Sequence, residues 1–263
     1  MQELRRCALG LLLLDDVPAQ AAAVRVLQAQ ADELTIDATS AIDEPPGVPG
    51  RPARPLLVAP ARLPRRPVHP RDGRAALLHA VAHIEANAIR LALDACWRFA
   101  AMPPDYYRDW LRVAAEEALH FELLAAHLAT LGCAYGDHDA HDGLWTMVDK
   151  TRHDVVARMA LVPRTLEARG LDAAPPMQAK LRQAGDLRAV EILDVLLRDE
   201  VGHVAVGNRW YRWLCERDGL DPLAHDARLV ERYAAPRPRP PFNLDARRRA
   251  GFSEAELRAL DRG

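Results

Sequence analysis

Glu117-Ala118-Leu119-His120 and Glu200-Val201-Gly202-His203 are two copies of one pattern, Glu-x-x-His, and the second starts 83 residues after the first (200 − 117 = 83). Each copy has a further glutamate about one helical hairpin upstream. Glu85 precedes Glu117 by 32 residues (117 − 85 = 32), and Glu167 precedes Glu200 by 33 (200 − 167 = 33). Residues three apart lie on one face of a helix, about 5–6 Å apart, so a carboxylate and an imidazole in this spacing reach one metal ion. Four carboxylates bring a charge of about −4, which two divalent cations offset; buried without metal, that charge costs many kcal/mol or forces protonation. Oxygen and imidazole donors suit iron or manganese. No cysteine lies within a helical turn of these residues, which argues against a thiolate zinc site.

The surroundings of the glutamates read as buried helix faces. Leu78, Val81, Ala82, Ala88, Ile89 and Ala92 flank Glu85 at helical spacing, and Trp110, Val113, Ala114, Phe121 and Leu124 flank Glu117. Leu193, Leu196, Leu197 and Val204 do the same for Glu200. A carboxylate in such a stripe is unusual, because stripes of this kind face the core. Glu167 has the weakest setting, with Pro163 and Arg164 one turn before it. One Glu-x-x-His arises easily by chance in a charged helical protein; two copies with matched upstream glutamates are harder to dismiss. The set Glu85, Glu117, His120, Glu167, Glu200 and His203 resembles the ligand pattern of di-iron and di-manganese carboxylate proteins, in which two helices of a four-helix bundle each supply a Glu and the other two each supply a Glu-x-x-His. Two metal ions are therefore expected, iron first and manganese second.

The rest of the chain frames this core. Aromatic residues make up only 5% of the 263 residues, Ala and Leu dominate, and no β-branched alternation occurs, so the fold class is all-α. With a net charge of −2, nothing in the overall charge points to nucleic acid. Cys7, Cys96, Cys133 and Cys215 are scattered without a C-x-x-C, as reduced thiols in a cytoplasmic protein would be. Arg5-Arg6, the apolar run to Leu14 and the alanines at 19 and 21–23 imitate a signal peptide, but Glu3 and Asp15-Asp16 favour an amphipathic helix. No stretch reaches the roughly 18 apolar residues of a membrane span.

Residues 1–33 read as two short helices broken near Asp15–Pro18. Nine prolines between 40 and 72 exclude helix there and make an extended strap. Its arginines, among them Arg51, Arg54, Arg65 and Arg66, are expected to pair with carboxylates rather than phosphates. Helices are expected over 73–100, 105–131, 144–169 (kinked at Pro163 and broken at Gly170) and 186–217, with a short one opening at Pro175-Pro176. Pro103-Pro104 turns the first into the second, and Gly132 stops the second. Beyond Gly219 the chain reads as irregular, apart from a capping box at Ser253-x-x-Glu256. The divisions are thus 1–72, N-terminal helices and strap; 73–217, the bundle; and 218–263, a tail packing on it.

Several stretches together resemble a bacterial family of ferritin-like proteins classed as a domain of unknown function: His79–Asn87, Asp109–Leu124, Ala140–Trp145, Val162–Gly170, Asp199–Val204 and Pro240–Asn243. The likeness runs from about residue 73 to 257. More distantly the chain is similar to di-iron tRNA hydroxylases that modify isopentenyl-adenosine, which leaves RNA open as a partner with nothing else in the sequence pointing to it. The resemblance implies a ferritin-like four-helix bundle and a metal site, and no substrate. The expected activity is oxidation or hydroxylation of a small molecule with dioxygen or peroxide and an external electron donor; the alternative is a metal-handling protein of ferroxidase or storage type. The acids preceding the paired motifs, Glu116 and Asp199, are expected to orient the histidines, Asp199 with His120 and Glu116 with His203. His79 and His83 lie off the Glu85 face and read as hydrogen-bonding partners between elements. Arg164 is read either as a salt-bridged structural residue or as an anchor for an anionic substrate.

Overall fold

Pro104 opens one long helix directly after Phe99–Pro103 have closed another, and this pair is the backbone of the first half of the chain. The computed structural model describes residues 2–64 and 67–260, so the expectation for Arg65 and Arg66 lies outside the described residues. Among the described residues the secondary structure is all-helical, with isolated bridges Glu3–Thr35 and Leu57–Ala140 and no strand. The α-helices are α1 (Leu4–Leu12), α2 (Val17–Ala29), α3 (Arg71–Arg98), α4 (Pro104–Thr130), α5 (Gly143–Lys150), α6 (Val155–Leu161), α7 (Ala168–Gln183), α8 (Leu187–Arg217), α9 (Pro222–Arg232), α10 (Leu244–Arg249) and α11 (Glu254–Leu260).

The chain forms two compact units. One comprises residues 1–143 and 184–192. Here α3 and α4 pack side by side, α1 lies on α3 and α2 on α4. From His79 to Trp97 nearly every residue of α3 is buried, as expected of a helix covered on all sides. Arg5 reaches from α1 to close the end of α3: its Nε and Nη2 donate to the Trp97 carbonyl at 3.3 and 2.9 Å, and its Nη1 donates to the carbonyls of Asp37 and Ser40 at 2.6 and 2.7 Å. A cation there satisfies carbonyls the helix leaves open and complements its dipole. Gly132 ends α4 with φ +70°, a conformation that suits glycine. The strap is held by polar ties. Val58 N–H donates to Ala140 O, Ala140 N–H donates to Leu56 O, and Arg51 forks onto Asp142, while Leu56 and Leu57 stay exposed. Asp142 therefore pairs with the strap, and it is His141 Nδ1 that accepts the Gly143 N–H at the start of α5.

The second unit comprises residues 144–183 and 193–263. The single helix expected over 144–169 is divided: α5 ends at Lys150, and Asp154 N-caps α6 by accepting from Ala157 N–H at 2.9 Å. Pro163 does not produce a free kink; residues Val162–Glu167 form a π-helical turn running on into α7. Gly207 of α8 makes room for it, since a Cβ there would stand 2.5 Å from Pro163 Cβ. Gly170 does not break the helix, and Pro175 and Pro176 lie inside α7. Proline at 175 cannot donate to the carbonyl four residues back, and Asn243 Nδ2 donates to that carbonyl, Leu171 O, at 3.2 Å instead. A tertiary contact thus supports a helix that local propensity stops. The tail is likewise not irregular. It holds α9, α10 and α11; Asn243 caps α10, and the capping box forms, with Ser253 N–H donating to Glu256 Oε2 at 2.7 Å and Glu256 N–H to Ser253 Oγ at 3.3 Å. Ala246 and Ala250 of α10 join Ala168, Leu171 and Val204 in one apolar cluster.

Candidate metal centre

The apolar stripes foreseen on α3 and α4 are buried, and they carry Glu85 and Glu117 inward with them. Glu85 is 3% exposed, Glu117 and His120 are fully covered, and the i, i+3 spacing puts the last two on one face. His120 Nδ1 lies 3.2 Å from Glu85 Oε2 and 3.1 Å from Glu117 Oε2. One ligand atom from each of the three falls within 4.8 Å of the others, a geometry that can hold a metal ion. The electrostatics point the same way. Burial, then the negative charge of Glu117, push the Glu85 carboxyl up to about 8, while the hydrogen bond and charge of His120 pull it partly back. Two carboxylates this close resist double ionisation, and a cation between them relieves that conflict.

The second copy is held on α8 and the π-helical turn. His203 is fully buried and Glu200 nearly so, with His203 Nδ1 3.9 Å from Glu200 Oε2. Glu167 is the last residue of the π-helical turn and is 9% exposed. Such turns recur at functional sites because the inserted residue re-aims a side chain. Gly170 follows it by three residues, and a Cβ there would lie 3.8 Å from the Glu200 carboxyl carbon.

The remaining expected residues fall as follows. Glu116 is half-buried, 3.5 Å from Arg112 Nη1. Asp199 is gripped by Arg198, with Nε and Nη2 on its two oxygens at 2.8 and 3.0 Å. Arg164 is held by several neighbouring side chains. Its Nη1 donates to Asp226 at 2.8 Å, its Nε to Asn208 Oδ1 at 2.6 Å and its Nη2 to Glu256, and the guanidinium stands 4.2 Å from the centre of the Tyr211 ring. His79 and His83 join α3 to the loop after α4. His79 Nε2 accepts from Gly136 N–H at 2.8 Å, and His83 Nδ1 lies 3.0 Å from Tyr135 Oη. The sequence reading passed over His127, whose Nε2 lies 2.9 Å from Asp186 Oδ1 and whose Nδ1 lies 3.3 Å from Thr130 Oγ1. Only its spacing of three from Thr130 was visible in the sequence.

Fold and site together define the class, an all-helical protein whose buried Glu and His side chains can hold a metal ion. The chain belongs to the family described as "Protein of unknown function (DUF455)", whose pattern matches residues 14–258. It is 51% identical over 213 residues to a protein of Haemophilus influenzae (strain ATCC 51907 / DSM 11121 / KW20 / Rd) that bears the name "Uncharacterized protein"; the alignment covers 78% of this chain and 74% of that one. No solved structure matches it. No helix among the described residues is long and apolar enough to cross a membrane.

Proposed function

We propose that this chain is a dinuclear metal protein with a ferritin-like bundle over residues 73–217, and that it oxidises or hydroxylates a small organic substrate using dioxygen or peroxide. The proposed ligands are Glu85, Glu117 and His120 together with Glu167, Glu200 and His203, and iron is the proposed metal. The observation that carries the reading is the buried convergence of Glu85, Glu117 and His120 on α3 and α4, joined to the repetition of the same motif on α8. The donor set fits the group, because carboxylate oxygens and imidazole nitrogens are the donors iron and manganese accept. Bound there, the metals would supply oxygen activation and a Lewis acid.

The chain's own residues would do the rest. Glu85 would release the proton that burial makes it retain as metal enters. His120 and His203 would bind through one ring nitrogen, with Asp199 and Glu116 proposed to fix their tautomers. The apolar residues flanking the glutamates would keep water from the centre.

Metal analysis of the protein purified from its native host tests the assignment. Two iron ions per chain are expected, and Glu117→Ala should abolish loading. Stoichiometric zinc, or no metal, would overturn it. Reductant-dependent dioxygen uptake with two irons per chain supports the oxidase reading, whereas iron loading far above two per chain would replace it with storage.

A further inference from the structure

Arg90 follows His83 by seven residues and Asn87 by three on α3, so the three share one face. The chain buries five arginines among the described residues: Arg5, Arg90, Arg158, Arg164 and Arg247. Four have their donors matched. Arg5 caps carbonyls, Arg158 donates to Thr151 Oγ1 and Val148 O at 2.8 and 2.7 Å, and Arg164 is held by Asp226, Glu256 and Asn208. Arg247 grips Asp172 with its Nε/Nη2 edge at 3.1 and 2.6 Å. Arg90 is the exception. It is 1% exposed, and that same edge, Nε and Nη2, is buried with no hydrogen-bond partner among the described residues. A buried guanidinium left in this state is costly, and burial lowers its pKa.

The surroundings are built for an anion. Arg90 lines a cavity of about 200 Å³ between α3, the strap and the loop after α4. Arg51 and Asp142 are also on its wall, but Asp142 is already forked onto Arg51 at 2.9 and 2.7 Å. Among the described residues that line it, two arginines share the wall with one carboxylate. The strap contributes an apolar side through Pro52, Pro55 and Leu57, and Tyr135 adds a phenol. The size is below the roughly 300–1,000 Å³ of sites for drug-sized molecules. A planar two-oxygen anion matches the free edge bidentately, as Asp172 matches Arg247.

We propose that this cavity is a binding site for a small monocarboxylate, its carboxylate forked on Arg90 and its short apolar part against the prolines of the strap. Arg90 lines the cavity but both free nitrogens are themselves buried, so the acid has to displace a neighbouring group to reach them. It is the strap, tied there by two backbone hydrogen bonds to Ala140 and the Arg51–Asp142 pair, that would give way. Nothing in the proposal depends on the metal reading.

The test is thermal unfolding of the full chain titrated with sodium propanoate, against sodium chloride at equal ionic strength and inorganic phosphate. A ligand that binds only the folded state raises Tm saturably, here by about 3–8 °C at a large excess over Kd. That rise is expected with propanoate, absent with chloride and smaller with phosphate. Arg90→Gln, which removes the buried charge at similar volume, should leave the anion-free Tm equal or higher and abolish the propanoate effect. Propanoate acting no differently from chloride overturns the proposal, and a stronger phosphate effect overturns the carboxylate assignment. An effect that survives Arg90→Gln belongs to another site, the carboxylate cluster included, and also overturns it. If Arg90→Gln does not fold, Arg90→Lys keeps the charge and loses the fork; its apparent propanoate affinity should fall at least about tenfold, and unchanged affinity overturns the assignment.

Discussion

Glu85 and His79 sit six residues apart on α3, and the same burial drives them in opposite directions. It raises the Glu85 carboxyl to about 8 and lowers the His79 imidazole to about 4, because each is held in its neutral form. Glu85 binds more protons folded than unfolded between about 4.5 and 8, so metal-free protein loses stability as pH rises through that window. Glu117→Ala removes the neighbouring charge. Its metal-free Tm at pH 8 is expected to equal or exceed that of metal-free wild type, and its metal affinity to vanish, as thermal unfolding with chelator and a metal titration would read. Collapse of the variant would make Glu117 a structural carboxylate. His79 works the other way. It binds fewer protons folded than unfolded, so its contribution is complete above about 6.5 and is lost as pH falls toward about 4. His79→Gln keeps an acceptor for Gly136 N–H and should flatten that acid limb in urea unfolding at successive pH values. A third expectation belongs to Asp199: its replacement by Ala should weaken metal affinity about 10–100-fold with the far-UV circular dichroism unchanged.

At the scale of elements, spans set by local chemistry were legible and spans set by neighbours were not. The expected helices over 73–100 and 105–131 correspond to α3 at Arg71–Arg98 and α4 at Pro104–Thr130, since Pro103-Pro104 and Gly132 act through their own backbone restrictions. The run from 144 to 183 was misread because what decides it lies elsewhere. Asn243 supplies the donor that Pro175 lacks, and Gly207 opens the space that the turn at Pro163 needs. Gly207→Ala is accordingly expected to destabilise by about 1–3 kcal/mol, because the added methyl meets a rigid proline ring; equilibrium denaturation checks it. The closing of α3 by Arg5 was equally invisible, as it joins residues 92 apart in sequence. Arg5→Ala leaves the buried Trp97 carbonyl and the part-buried carbonyls of Asp37 and Ser40 unmatched and should cost about 2–4 kcal/mol, with α3 losing amide-exchange protection from its C-terminal end.

For the whole molecule, metal is the expected source of a large part of its stability. The proposed ligands are buried, and Glu85 and Glu117 oppose each other's ionisation without it, so loading should raise Tm and chelation lower it. At free metal about 1,000 times Kd the gain is about 4 kcal/mol, readable by calorimetry with and without chelator. A Tm indifferent to iron and to chelator would count against the ligand assignment as a whole.

Residue order alone was enough for the helical class, for the hairpin at Pro103-Pro104, and for the placing of Glu117 with His120 and Glu200 with His203 on common faces. All of these follow from the 3.6-residue turn and from restrictions that single residues place on their own backbone. Only the tertiary structure decided that Glu85 meets His120 at 3.2 Å, that Arg164 is consumed by Asp226 and Glu256, and that the tail folds into helices against α7. It also decided that Arg90 is buried with a free edge beside the strap. Those outcomes join residues tens of positions apart, and they depend on how buried charge and unmatched backbone groups are satisfied by whatever packing brings near, which no local pattern encodes.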